Sequence, residues 1–186
     1  MSTIHNINGD LAASTTGLDS ADYIPVYVAS AGVSKKLPGA AIRGESLVAG
    51  GSALTLSNAV HGGKTIKLDT LAGTTITLPQ ATGSGAKFKF YVSVLATSNN
   101  HIVKVGNSTD VMVGMAFGTR VDSGNAVLGF ATSATSDTIT LNRSTTGSVS
   151  LGEWIEVVDV ASGVFTVKAF LSATGAAFAT PFSATV

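Results

Sequence analysis

Residues 86–94 read AKFKFYVSV. Phe88, Phe90, Val92 and Val94 fall on one side of an extended chain, and Lys87, Lys89, Tyr91 and Ser93 on the other. A period of two with one apolar side is the pattern of a half-buried strand, because successive side chains point to opposite faces. The same period recurs along the chain. KTIKL (64–68) sets Ile66 and Leu68 inward, TTITL (74–78) sets Ile76 and Leu78, and residues 138–141 set Ile139 and Leu141. GVFTVKAFL (163–171) places Phe165, Val167, Ala169 and Leu171 opposite Val164, Thr166, Lys168 and Phe170. HIVKV (101–105) and EWIEVVD (153–159) are equally rich in β-formers. Ile155 and Val157 join Phe88, Phe90, Val92, Ile139, Phe165 and Val167 as the expected core.

Turn signals separate these runs. Residues 60–63, with two glycines, read as a hairpin loop between LTLS and KTIKL. Residues 159–163 read as a second hairpin, and Pro79 ends a strand because proline cannot donate to a ladder. The best helical window, residues 40–50, is interrupted by two glycines, which limits it to a turn or two. Short strands with frequent turns and no long helix predict an all-β fold, a β-sandwich or jelly-roll-like barrel.

The first fifty residues differ. They hold one strong strand, YIPVYVA (23–29), among Ala, Ser and Gly. Pro25 marks it as an edge strand or one that pairs with another subunit. Ile24, Val26 and Val28 alternate with Tyr23, Pro25 and Tyr27, so both faces are apolar, as in a strand covered from two sides. The reading is an extended N-terminal arm, residues 1–50, leading into a β domain, residues 51–186.

Composition removes several function classes. The 186 residues are 45% hydrophobic and only 12% charged, about half the usual charged share. A mean hydropathy of +0.40 argues against a solvated disordered chain. Eleven basic residues balance eleven acidic ones, so the electrostatic footprint of a nucleic-acid binder is missing. No run of eighteen apolar residues predicts a spanning helix. Cysteine is absent, which removes disulfides, thiol nucleophiles and Cys-ligated metals. The first twenty residues carry neither a basic start nor an apolar segment of the secretory type.

Individual motifs read as structural. Gly63-Lys64-Thr65 ends like a phosphate loop, but Asn58 stands where its first glycine belongs, and a strand follows instead of a helix. Asn107-Ser108-Thr109 and Asn142-Arg143-Ser144 fit the glycosylation sequon and read as turn residues. His5, His61 and His101 stand apart from one another, so solvated or capping roles are expected, with no metal and no cofactor. Asp19 and Asp22 flank a turn, and Glu153 and Glu156 fall on opposite faces of one strand, so neither pair converges as acid–base catalysis requires. No serine sits in a G-x-S-x-G elbow. Trp154, the single tryptophan, is expected to anchor the core or a subunit contact. Sugar stacking would need a neighbouring aromatic, and none adjoins it in sequence.

Several stretches resemble structural proteins of tailed-phage virions. GLDSADYIPVYVASAGVSKKL is similar to a D-x-I-P-V-Y…G…K-K stretch near the start of such proteins. HGGKTIKLDTLAGTTITLPQATGSGAKFKFYV, VGNSTDVMVG, SDTITLN and GEWIEVVDVASGVFTVKAFLSATG resemble the small β-rich capsid decoration (cement) and head-fibre type. The resemblance implies a non-enzymatic virion component on the outer capsid surface. It would be a homo-oligomer, a trimer, bound to the major capsid protein and stabilising the assembled head, with no nucleic-acid or membrane partner. Tyr23, Ile24, Pro25, Val26, Tyr27 and Val28 are then the candidate assembly contacts. The alternative is a tail-fibre or receptor-binding module that recognises a host-surface glycan or protein. A third reading, a polysaccharide depolymerase, would need a groove lined with carboxylates, and the chain has three Glu.

Overall fold

The structure is a computed structural model. It describes the backbone of residues 23–28 and 33–38, and residues 47–122, 126–174 and 178–186 throughout. The chain divides into two compact units, Met1–Ser46 and Leu47–Val186. The first contains β1 (Tyr23–Val28) and β2 (Val33–Pro38), which pair antiparallel along their whole length, Tyr23 opposite Pro38 and Val28 opposite Val33. The second strand, VSKKLP, is not visible as a strand in the sequence because lysines occupy its middle. The rest of the expected arm up to residue 46 lies outside the described residues.

The second unit is all-β and sandwich-like. Its strands are β3 (Leu47–Ala49), β4 (Ala53–Thr55), β5 (Thr65–Leu68), β6 (Thr75–Thr77), β7 (Lys87–Val92), β8 (His101–Lys104) and β9 (Val111–Arg120). They continue with β10 (Val127–Ala131), β11 (Thr138–Leu141), β12 (Trp154–Ala161), β13 (Val164–Ala173) and β14 (Phe182–Ser183). A seven-stranded sheet runs β10-β9-β13-β12-β7-β5-β3, and a five-stranded sheet runs β14-β11-β8-β6-β4. Leu47–Ala49, inside the window read as helical and assigned to the arm, is the edge strand of the larger sheet. Leu47 is exposed and Val48 packs on the core there.

From β3 to β8 the chain alternates between the two sheets. β3, β5 and β7 stack in parallel in one, and β4, β6 and β8 in parallel in the other. Residues 60–63 are therefore not a hairpin loop. Leu56 and Ile66 enter one core from opposite sheets, so the connection between β4 and β5 must cross over. A single turn of helix, α1 (Asn58–His61), makes the crossing; Gly62 caps it, its N–H donating to the Asn58 carbonyl, and Gly63 at φ 78° turns the chain toward β5. Residues 159–163 do form the expected hairpin, with a register shift between Asp159 and Ala161.

The inner faces meet in one core. Phe88, Phe90, Val92, Ile139, Ile155, Val157, Phe165 and Val167, the expected core set, are all buried. Ile66, Leu68, Ile76, Leu78, Met112 and Leu141 complete its largest side chains. Each fully buried side chain of this size contributes about 1.5–3 kcal/mol relative to exposure.

Candidate functional site

The alternation that fills the core also decides what faces outward from the seven-stranded sheet. Cross-strand register sets Phe117 of β9 beside Phe170 of β13, Phe170 beside Trp154 of β12, and Trp154 beside Tyr91 of β7. The four aromatics form one row across four adjacent strands. Phe117 stacks on Phe170 with centroids 5.6 Å apart, Trp154 tilts against Phe170 at 5.0 Å, and the Lys89 ammonium lies 5.4 Å from the Trp154 ring centroid. The next row is Met115, Lys168, Glu156 and Lys89, and the one after it Val113, Thr166, Val158 and Lys87. The face is therefore graded. Its β9 side is apolar, with Val113, Met115 and Phe117 exposed, and its β7 side carries the lysines.

Phe170 is 50% exposed, Val113 50% and Met115 44%. Aromatic neighbours contribute about 0.5–1.5 kcal/mol beyond area burial, so the row holds itself together while still presenting apolar edges to water. Contiguous exposed apolar patches of this kind mark interaction sites. The sheet edge next to it is of the same character. β10, VLGFA, has no charge and no proline, and four of its five residues are exposed. Edge strands of soluble proteins normally carry such guards against pairing.

Trp154 thus lies on the outer face and not in the core. Neighbours from other strands supply the aromatic company that its own stretch of sequence lacks. Glu153 and Glu156 do fall on opposite faces: Glu156 lies in the outward row, while Glu153 is buried. Glu153 accepts from the N–H groups of Ser148 (2.7 Å), Val149 (2.8 Å) and Ser150 (2.8 Å) and from the Ser172 hydroxyl.

The other buried acids are used in the same way. Asp110 accepts from Ala81 N–H at 2.7 Å, and Asp137 accepts from Thr185 N–H and Val186 N–H near the C-terminus. Asp159 gathers the loop 82–84, accepting from the N–H groups of Thr82, Gly83 and Ser84 and from both hydroxyls. Burial is the largest influence on the Asp159 carboxyl and works against its charge. The bonds from Ser84, Gly83 and Thr82 together outweigh it and hold the pKa at about 2. A depressed acid contributes stability that is complete above its unfolded value and is lost as pH falls through its folded one. About 2 kcal/mol should therefore disappear between about pH 4 and pH 2. Asp159→Asn should lose about 2–3 kcal/mol at neutral pH, since one acceptor oxygen cannot serve five donors. Urea titrations from pH 7 to pH 2 check both; an Asn variant with wild-type stability and the same acid limb would exclude the assignment.

His101, read from the sequence as solvated or capping, is buried. Its Nδ1 accepts from Thr74 N–H at 3.0 Å, which leaves Nε2–H to donate to the Val94 carbonyl at 2.9 Å. Burial lowers its pKa, against the pull of that carbonyl, Glu153 and Asp69. His61 Nδ1 accepts from Ser57 N–H at the start of α1. Asn107 and Asn142 are turn residues, each accepting from backbone N–H groups two to four positions ahead. Lys64-Thr65 leads into β5, as the strand reading of that motif required. Among the described residues no three His, Asp or Glu gather as metal ligands, and no helix is long and apolar enough to cross a membrane. His5, Asp19 and Asp22 lie outside the described residues. Tyr23, Ile24, Pro25, Val26, Tyr27 and Val28 are placed in β1 by their backbone, and their side chains lie outside the description. The chain matches no family model, no curated protein and no solved structure.

Proposed function

We propose that the chain is a structural module of a virion, of the capsid-decoration type, which binds the outside of an assembled head and stabilises it through subunit contacts. The observation that carries this reading is the graded outer face of the seven-stranded sheet, an exposed apolar and aromatic row beside a charge-free edge strand. Two further features support it. The β1–β2 hairpin is a two-stranded ribbon of a kind that is marginal alone in water, so a partner that covers it gains a strand-pairing contact. The buried acids are committed to loop hydrogen bonds, which suits a rigid binding module. Binding only the assembled form stabilises that form by mass action, and repetition by symmetry closes a ring, a trimer in this reading.

The test mixes purified protein with empty heads and sediments the particles. Co-sedimentation is expected, and Phe170→Ser should weaken it by at least about thirtyfold, the size of an interface hot spot. Because Phe170 is half exposed, its loss should leave the fold intact. Unchanged binding by this variant would remove the face from the interface, and light scattering that shows a monomer on and off the particles would remove the trimer. A receptor-binding module is the second reading. Lys87 and Lys89 of β7 beside Tyr91 and Trp154 favour it, since they suit an anionic surface glycan on the β7 side of the face.

A further inference from the structure

On the opposite side of the sandwich, three parallel strands of the smaller sheet begin side by side. Ser52 precedes β4, Ala72 and Gly73 precede β6, and Asn99 and Asn100 precede β8, while Arg143 follows β11 from the other direction. Together they enclose a half-open cleft of about 550 Å³, within the usual range of small-ligand sites. Its wall is unusual in chemistry. Arg143 is its one charged side chain, and Ser52, Ser98, Thr75, Asn99 and Asn100 supply hydroxyls and amides, with Ala72 and Ile102 as apolar surface. The nearby acid Asp69, which accepts from Gly51 N–H, is paired with Lys67 at 3.6 Å.

Two features show that the cleft is held in shape. A side chain at Gly73 would meet the Asn100 carbonyl oxygen at 2.4 Å, so glycine is what lets residues 99–100 close against the start of β6. Arg143 sits at φ 71°, a left-handed conformation that suits glycine and strains arginine. The turn imposes it. Asn142 Oδ1 accepts from the N–H groups of Ser144, Thr145 and Thr146, and Arg143 N–H donates to the Gly147 carbonyl at 2.8 Å. The guanidinium is then fixed by one bond, Nη1 to the Thr97 carbonyl at 2.9 Å. An arginine has five N–H donors, so donors remain for a ligand in the cleft.

We infer that this cleft binds one carboxylate-bearing sugar unit, such as a uronic acid residue of a surface polysaccharide. The guanidinium fork matches a carboxylate in two parallel hydrogen bonds. The hydroxyl and amide side chains match ring hydroxyls, and Ala72 and Ile102 accept the C–H face. A phosphate or sulfate could take the arginine and the nearest O–H or N–H donors, but it is too small to span the cleft and its ionised oxygens offer no donor to the amide and hydroxyl acceptors of the wall. The site is separate from the outer face of the larger sheet and does not depend on what binds there.

The experiment is a ¹H–¹⁵N titration of the intact protein with glucuronic acid, with glucose and with inorganic phosphate, at matched ionic strength. Glucuronic acid is expected to shift the amides of residues 52, 98–100 and 143 together. Glucose and phosphate should bind at least about tenfold more weakly, the cost of a lost charge-assisted pair. Arg143→Gly should abolish the shifts while its melting temperature stays level or rises, because glycine fits the backbone there. Arg143→Lys, which keeps the charge and loses the fork, should bind at least about tenfold more weakly, and it carries the test if the glycine variant does not fold. Equal shifts with phosphate or glucose, shifts scattered over the surface, or wild-type binding by these variants would overturn the assignment.

Discussion

Gly114→Ala should leave no folded domain. Gly114 lies in β9, opposite Val167 in the parallel ladder with β13, and a Cβ there would stand 1.9 Å from the Val167 carbonyl oxygen. Neither atom can turn away. A Cβ has no rotamer, and the obstacle is backbone in the adjacent central strand. Relief requires β9 and β13 to part along a ladder that pairs Val111–Arg120 with Val164–Ala173. That ladder carries Met112, Ala116, Phe165, Val167, Ala169 and Leu171 into the core, so separating the strands removes more than the 5–15 kcal/mol by which a domain of this size is stable. Circular dichroism and urea unfolding of the variant check this. A native spectrum with a loss below about 1 kcal/mol would mean that the two backbones do not approach so closely.

Phe90→Ala should cost about 3–5 kcal/mol. Phe90 is fully buried in β7, with β12 on one side through Ile155 and β5 on the other through Ile66. Removing the ring leaves a cavity bounded by strands locked on both sides, which cannot collapse to fill it. Phe170→Ala is the control. Its ring is equally large but half exposed, so its loss should be clearly smaller, about 1–2 kcal/mol from the buried half of the ring and its two aromatic contacts, and denaturant midpoints compare the two directly. Equal losses would mean that the face assignment is inverted.

How much of this was legible depended on the local period. In residues 86–94 and 163–171 the polar and apolar sides alternate, so strand, face and core followed at once, and the burial of Phe88, Phe90, Phe165 and Val167 agrees. β9, VMVGMAFGTR, is apolar on both sides and gave no face, although it is one of the two longest strands. Its outward Val113, Met115 and Phe117 are part of the reason the interaction face stayed hidden. The other part is register. Phe117, Phe170, Trp154 and Tyr91 are far apart in sequence and meet only through cross-strand pairing. The clue that was available is an aromatic on the polar side of an alternating strand, Tyr91 among lysines and Phe170 beside Lys168. The crossover at residues 60–63 was misread because two glycines suit a hairpin as well as a helix end. The Arg143 cleft was out of reach, since it is assembled from four strand ends and one left-handed residue.

The parallel ladder between β9 and β13 also sets a timetable for the making of this protein. β9 is finished at Arg120, but its partner begins only at Val164. At ribosomal speeds of about 5–20 residues per second, roughly 2–10 seconds pass before that partner has been synthesised. Throughout that interval the edge of β9 that pairs with β13 is open, and its outward Met115 and Phe117 lack the Lys168 and Phe170 that later lie beside them. Parallel pairing at long sequence separation is also slow to form. The nascent chain therefore carries β9 without its parallel partner until Val164–Ala173 has been translated.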